Sequence, residues 1–589
     1  MNSKKTLLII LLACLTCCLG ILVFSGCTLQ DDDDQHYCYP SCHVPVPATC
    51  TSQGNIEYWY CRVCGTYYSD MDGKHKIEAE QTILDINPDN HKYTGPYSYD
   101  YDELVYTRIC TYNNEHIEKQ SAGSKEYPFL VRNADELEKA IAEDGYIKLE
   151  NDITVDSGVK IQSKNRVQID LNGKTISGSG QYVFYIDISD NDKAFTRILN
   201  GTIRCTNSSA DTRSGLYIVT GACIPSVYLT DCVIEVNEQG NSGIGVGVYV
   251  HGNDTDKMVV VNLTSCAIYA DFAGVYFDGS SRLALSKTDI TASSYGIYDN
   301  FGSNAEMMDG SITAATGVRS LYMFSMNGGS ITATDLAISI KHSSYDYPPF
   351  DWDKIEPDVF LNIMTFLNID KATITSGGTG IELQTTFGKV KNTIINTKGD
   401  SIKTFRDVIL EMNHCEISSE NGMGIVGNGT VDINDANCGI KNNIKLTDCS
   451  IAATWGVYLP QTDGRFEMSG GNIQASVTGI EIRSGKVRLK GVEIVSNAKA
   501  FSTDKENAAS GACILGAAVA VSQNSANNEI VVNVEDCTLK GVYAFYEEDL
   551  IDNVSENLTV TFEGTNNFDG GVYSQNCSNL TEVNSKDPV

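Results

Sequence analysis

The residues best suited to chemistry concentrate between positions 38 and 95, where Cys38, Cys42, Cys50, Cys61 and Cys64 stand beside His43, His75 and His91. The most specific piece is Cys61-Arg62-Val63-Cys64-Gly65. Two thiolates spaced C-x-x-C with a glycine behind them make a tight knuckle that offers two sulfurs to one tetrahedral metal. Four protein ligands would make such a site structural, with no open position for catalysis, and a module this small needs a staple beyond burial. Oxidation is the competing chemistry. The five cysteines plus Cys110 make an even number, and exported thiols often pair. Zinc and disulfides both remain open on the sequence.

The phrase Ala48-Thr49-Cys50-Thr51, then Gly54, then Cys61-x-x-Cys64-Gly65 with a distant histidine resembles zinc-ribbon-like modules of Gram-positive surface proteins. The resemblance covers about fifty residues. It implies structural zinc on Cys50, Cys61 and Cys64, with His91 as the fourth ligand and His43 or Cys42 as substitutes.

A second candidate is the triplet Gly-(Val/Ile/Leu)-Tyr, which ends at Tyr217, Tyr249, Tyr276, Tyr298, Tyr458, Tyr543 and Tyr573. If the aliphatic residue points inward, alternation turns each tyrosine outward. Tyr249, Tyr276 and Tyr298 would then stack into a ladder suited to carbohydrate; the competing role is self-stacking that stabilises the scaffold. A third candidate is the insertion 341–358, where Tyr345, Tyr347 and Trp352 lie among acidic residues and prolines, since loops on rigid scaffolds often carry binding. Catalysis finds less support. His251-Gly252-Asn253-Asp254-Thr255-Asp256 and the pair Asp351/Asp353 are each confined to one loop, which reads as a solvated turn. No catalytic residue is assigned.

These residues are positioned by a repeat, apolar-x-x-small-x-Ile/Leu. Its copies include Ile198/Gly201/Ile203, Leu229/Cys232/Ile234, Leu263/Cys266/Ile268, Met307/Gly310/Ile312, Leu446/Cys449/Ile451 and Val534/Cys537/Leu539. The last two positions alternate as a strand does, while the step of three before them forces a bend, where Asn, Asp, Gly and Ser crowd. Cysteine shares its place with Gly, Ala and Thr, so that site asks for small volume and not for a thiol. Short strands and sharp turns recurring every ~22 residues describe coils of a parallel β-helix, a solenoid whose core exists only through stacking. Some fourteen coils at roughly 4.8 Å give a rod on the order of 65 Å long.

Asn133 reads as the N-cap of a short helix with Glu136 at the capping-box position and Leu137, Ala140 and Ile141 on one face, suited to covering the open end of the stack. From about 129 to 575 the chain resembles right-handed single-stranded parallel β-helix proteins of the pectate-lyase-like superfamily. That resemblance implies an all-β fold and a right-handed coil. It leaves function open, because the fold hosts lyases, hydrolases, adhesins and phage spikes. Residues 498–528, rich in Ala, Ser and Asn, read as a looser excursion.

The first 27 residues pair Lys4 and Lys5 with an apolar run from Leu7 to Phe24 and end Ser25-Gly26-Cys27, which is a targeting pattern. It resembles a bacterial lipoprotein signal, implying lipid on Cys27; secretion, or an uncleaved span that crosses the bilayer, is the alternative. Segment 28–37 reads as an acidic tether, 38–95 as the Cys/His module, 96–128 as a linker and 129–589 as the solenoid. A net charge of −32 over 589 residues excludes nucleic acid and anionic lipid surfaces as ligands, leaving the membrane to the anchor alone. Calcium is compatible with that charge, though no motif supports it. The sequence thus points to an exported, surface-anchored rod that binds glycan or another surface, with a polysaccharide lyase or hydrolase, or a plain spacer, as alternatives.

Overall fold

Ile153 pairs in parallel register with Ile176, and the same position continues through Ile203, Ile234, Ile268, Ile290, Ile312, Ile331, Ile374, Ile395, Ile417, Ile451, Ile473, Ile494 and Leu539 to Phe568. The terminal aliphatic residue of every repeat therefore occupies one interior column. The computed structural model describes residues 39–575 except 163–164, 189–194, 208–211, 221–225, 237–242, 253–258, 280, 342–364, 406–407, 428–441, 461–463, 505–510, 523–528 and 549–557. Cys27, Tyr345, Tyr347 and Trp352 lie outside the described residues. No helix among the described residues is long and apolar enough to cross a membrane.

The chain divides into two compact units, one up to Ser98 with Thr107–Lys119 and the other Tyr99–Tyr106 with Gln120 onward. In the second, 39 strands form one parallel sheet wound through successive coils, which is the parallel β-helix expected from the repeat. Each complete coil presents three strand faces. A second interior column runs through Ile169, Ile198, Leu229, Leu263, Leu285 and Met307. A third runs through Leu216, Val248, Val275, Ile297 and Val318. These columns bury their side chains almost fully, so each coil supplies half of its neighbour's core.

The bend takes its form from one left-handed residue placed just before the small position. Asn200, Asp231, Asp309, Asp448 and Asp536 have φ between 49° and 58°, a region that Asn and Asp tolerate better than most residues. The small residue then turns inward: Cys232, Cys266 and Cys449 are 1%, 3% and 0% exposed. Its polar atom is not idle. Thr288 Oγ1 donates to the Leu263 carbonyl at 3.1 Å, and Cys232 Sγ donates to that of Ile198 at 3.4 Å, satisfying carbonyls beside the bend.

Helix α1, Ala134–Ala142, opens the stack with Leu137, Ala140 and Ile141 buried. Asn133 caps it by accepting the Glu136 N–H at 3.0 Å. The Glu136 carboxylate reaches back one residue further than a capping box, taking the Arg132 N–H at 2.7 Å and the guanidinium at 2.6 Å. In the described part of the excursion, Ser502–Thr503 pairs with Ile514–Leu515. That hairpin is packed and not loose, since Cys513 and Ile514 are fully buried.

Candidate functional site

The register brings Tyr249, Tyr276 and Tyr298 onto one outward column and extends it at both ends. Tyr185 pairs with Tyr217, Tyr217 with Tyr249, Tyr249 with Tyr276, Tyr276 with Tyr298, and Tyr298 with Arg319. Glycine precedes the aliphatic residue because the corner leaves no room: a Cβ on Gly274 would lie 2.2 Å from Cγ2 of Ile290. Val275 then points inward and Tyr276 outward, as alternation requires. Tyr185 escapes the triplet because Val183 and Phe184 stand where the others have glycine and a smaller aliphatic residue. Arg319 carries no sequence signal at all, only its register.

Successive rings stack at centroid distances of 5.8, 4.9, 4.9 and 5.1 Å, with interplanar angles of 9°, 14°, 21° and 5°. The Arg319 guanidinium closes the run, 4.8 Å above the Tyr298 ring, and donates to its hydroxyl at 3.0 Å. The flat faces are therefore turned along the rod and spent on one another. What reaches solvent is a row of half-buried ring edges and phenol hydroxyls. Burial, reinforced by the Asp278 carboxylate, pushes the Tyr249 phenol upward, and burial likewise raises Tyr217 and Tyr276. These phenols stay protonated at ordinary pH and act as neutral donors. Asp278 accepts from Tyr249 Oη at 3.3 Å and lies 3.3 Å from His251 Nδ1, giving the row a polar flank.

The remaining triplets behave differently. Tyr458 sits on the same column but is only 7% exposed, against Glu481 of the next coil. Tyr543 is buried and packs on Phe501 of the excursion at 4.4 Å. An irregularity between Lys540 and Phe545 hands its column place to Tyr546, which stacks on Tyr573 at 5.3 Å. Outward alternation therefore holds for Tyr573 and Tyr458, although Tyr458 is covered, and fails for Tyr543, where the bulge intervenes.

The column also contains one member of an ion pair that the sequence does not announce. Glu481 and Arg483 are both fully buried, 3.3 Å apart. The Glu481 carboxylate accepts the Cys513 N–H at 2.9 Å and the Ile514 N–H at 3.3 Å. Burial still pushes its carboxyl above the ordinary carboxylate range. A separate shallow groove of about 330 Å³ is lined by Glu306, Asn327, Asn368, Asp370, Lys389 and Lys391 on another face.

In the Cys/His unit, Ser41–His43, Tyr58–Cys61, Thr66–Tyr68 and Lys76–Ile77 form a four-stranded antiparallel sheet. Of the expected ligands, Cys50 and His91 come together, joined by Cys110, with all three ligand atoms within 4.8 Å of one another. Cys61 and Cys64 lie outside that group, at the knuckle closed by the Gly65 N–H bonding the Cys61 carbonyl at 2.8 Å. Cys42 faces Glu57 at 3.8 Å, and His43 stacks on Tyr58 at 4.6 Å. Burial raises the Cys110 thiol, but N–H groups around it and His91 outweigh that and hold it down to about 6. Its sulfur is 3.7 Å from that of Cys50. Two thiolates on one tetrahedral zinc, with bonds of about 2.3 Å, stand about 3.8 Å apart, so these residues fit the ion the resemblance implies.

No family model matches the sequence, and no curated protein matches it. Among solved structures the chain is similar to the Dettilon tailspike protein (gp208), at 12% identity and a TM-score of 0.30, with 70% of this chain covered. The match spans 64% of the tailspike chain.

Proposed function

We propose that this chain is an exported surface rod that binds glycan along its tyrosine row. The observation that carries the reading is the unbroken run from Tyr185 to Tyr298, closed by Arg319. It sets phenol hydroxyls at coil spacing beside His251 and Asp278. A sugar chain laid along the rod meets a donor or acceptor at each coil, while the stacked rings keep those groups in place without further ordering on binding. Recognition is then by ring edge and hydroxyl, since the ring faces are already occupied.

This separates two substitutions that a face-stacking site would not. Changing Tyr249, Tyr276 and Tyr298 together to Phe keeps the stack and removes the hydroxyls; changing them to Ala removes both. On a glycan array the full chain is expected to retain at least one glycan class that both triple variants lose, with the Phe variant still folded. Unchanged binding by the Phe variant contradicts the proposal.

The groove at Glu306, Asp370, Lys389 and Lys391 favours a second reading, because it gathers carboxylates and amines, the kinds of group glycan cleavage uses. Release of shortened products from a bound polysaccharide, abolished in Asp370→Asn, would establish it.

A further inference from the structure

The structure assigns a two-cysteine, two-histidine zinc site to Cys50, His91, Cys110 and His116. Both sulfurs are buried and separated by 3.7 Å, an edge length that a tetrahedral zinc imposes and a disulfide, at about 2.05 Å, does not.

The backbone builds the site from three segments. The Cys50 N–H bonds the Asn90 carbonyl at 3.2 Å, and the Thr111 N–H bonds the Lys92 carbonyl at 2.8 Å. His91 is thereby held between the two cysteine loops. The turn after Cys110 is closed by the Cys110 N–H on the His116 carbonyl at 2.9 Å and the Asn113 N–H on the Cys110 carbonyl at 3.3 Å. That closure sets the His116 ring edge-on to His91, with centroids 4.8 Å apart.

Two atoms point to an ion. Nδ1 of His91 and Nδ1 of His116 are both buried without a hydrogen-bond partner. A buried imidazole nitrogen left in that state is costly, and coordination satisfies it. The opposite nitrogen of His116, Nε2, lies 3.4 Å from Asn113 Nδ2, an amide that can only donate, so the ring must leave this contact before Nδ1 presents a lone pair to an ion. Turning the His116 ring toward the Cys50, His91 and Cys110 atoms completes four ligands. With no open position the ion is structural, and binding it releases any thiol protons. The set differs from the one implied by the zinc-ribbon resemblance, keeping Cys50 and His91 but replacing Cys61 and Cys64.

The test uses the full chain purified under reducing conditions without chelator. Zinc per chain, measured by plasma mass spectrometry, is expected to fall by one in each of Cys50→Ser, Cys110→Ser and His116→Asn. His116→Cys is expected to retain the ion and, after cobalt substitution, to strengthen the sulfur-to-cobalt charge-transfer band as a third thiolate enters. That rescue distinguishes ligation from misfolding. Undiminished zinc in Cys50→Ser or Cys110→Ser overturns the site, as does a Cys50–Cys110 disulfide in the parent chain. Undiminished zinc in His116→Asn overturns the fourth ligand.

Discussion

One register position carries two different kinds of structure along this rod. From Tyr185 to Tyr298 it is open, aromatic and neutral; between Tyr458 and Tyr546 it is covered and includes Glu481. Both stretches are built from parallel strand pairs, with register shifts flanking the second. What differs is the neighbour on the outside: solvent in the first, and in the second the excursion whose Phe501 rests on Tyr543 and Tyr546 at 4.4 and 4.5 Å. A solenoid column thus fixes where a side chain points but not whether it meets water. The proposed binding row lies in the stretch left open, and a buried polar network in the stretch that is roofed.

The largest effect is expected where the roofed stretch is broken. Glu481→Ala leaves the Arg483 guanidinium buried without its carboxylate, which costs about 3–5 kcal/mol. Replacing both residues by apolar ones of similar volume recovers most of that loss. Unfolding midpoints of the single and double variants, followed by circular dichroism, check this; a single variant as stable as the parent would show that Glu481 is not roofed.

A smaller effect is expected in the open stretch. Gly274→Ala forces a methyl against Ile290, 2.2 Å away, and overpacking of that kind costs about 1–3 kcal/mol. The strand that carries Tyr276 must shift, so glycan affinity should fall more in this variant than in Gly95→Ala, whose added carbon meets nothing within 4 Å. Equal binding in the two would detach the tyrosine row from the corner beneath it.

The smallest effect concerns acid and contrasts two carboxylates. Burial raises Glu481, whereas hydrogen bonds from the Arg132 side chain hold Glu136 below its ordinary value. A folded-state pKa below the unfolded one means that Glu136 stabilises the chain above the usual carboxylate range and that this contribution fades as pH falls through its depressed value. Glu136→Gln should therefore flatten the acid limb of the stability curve below about pH 4.5. An unchanged limb would mean that the pair at helix α1 does not contribute.

Much of this architecture was legible beforehand. Small residue, then Ile or Leu, is a two-residue alternation that only an inward strand explains, and every copy of the aliphatic residue falls on one column. The bend was legible because a left-handed residue favours Asn, Asp or Gly, although Ser265, Lys287, Lys371 and His414 hold the same place in other coils. The tyrosine ladder was legible where glycine marks the corner, at Tyr249, Tyr276 and Tyr298. Three things were not. Glu481, in a strand, and Arg483, just past its end, read as outward charges, because their burial depends on the excursion that carries Cys513 and Ile514. Cys110 and His116 fall beyond the cysteine-rich stretch, and only the fold returns them to Cys50 and His91. The direction of the ring faces was also hidden: spacing fixes which residues neighbour one another, but the side-chain torsions decide whether faces or edges meet solvent.

The most direct test titrates oligosaccharides of increasing length, drawn from a glycan class that the array identifies, into the full chain by calorimetry. A continuous row predicts affinity that climbs with length until the ligand spans the four intervals of roughly 4.8 Å between Tyr185 and Tyr298, then levels off. That climb should vanish in the Tyr249→Phe, Tyr276→Phe, Tyr298→Phe chain. Affinity independent of length, or a climb that survives the loss of the three hydroxyls, would contradict the row as the binding track.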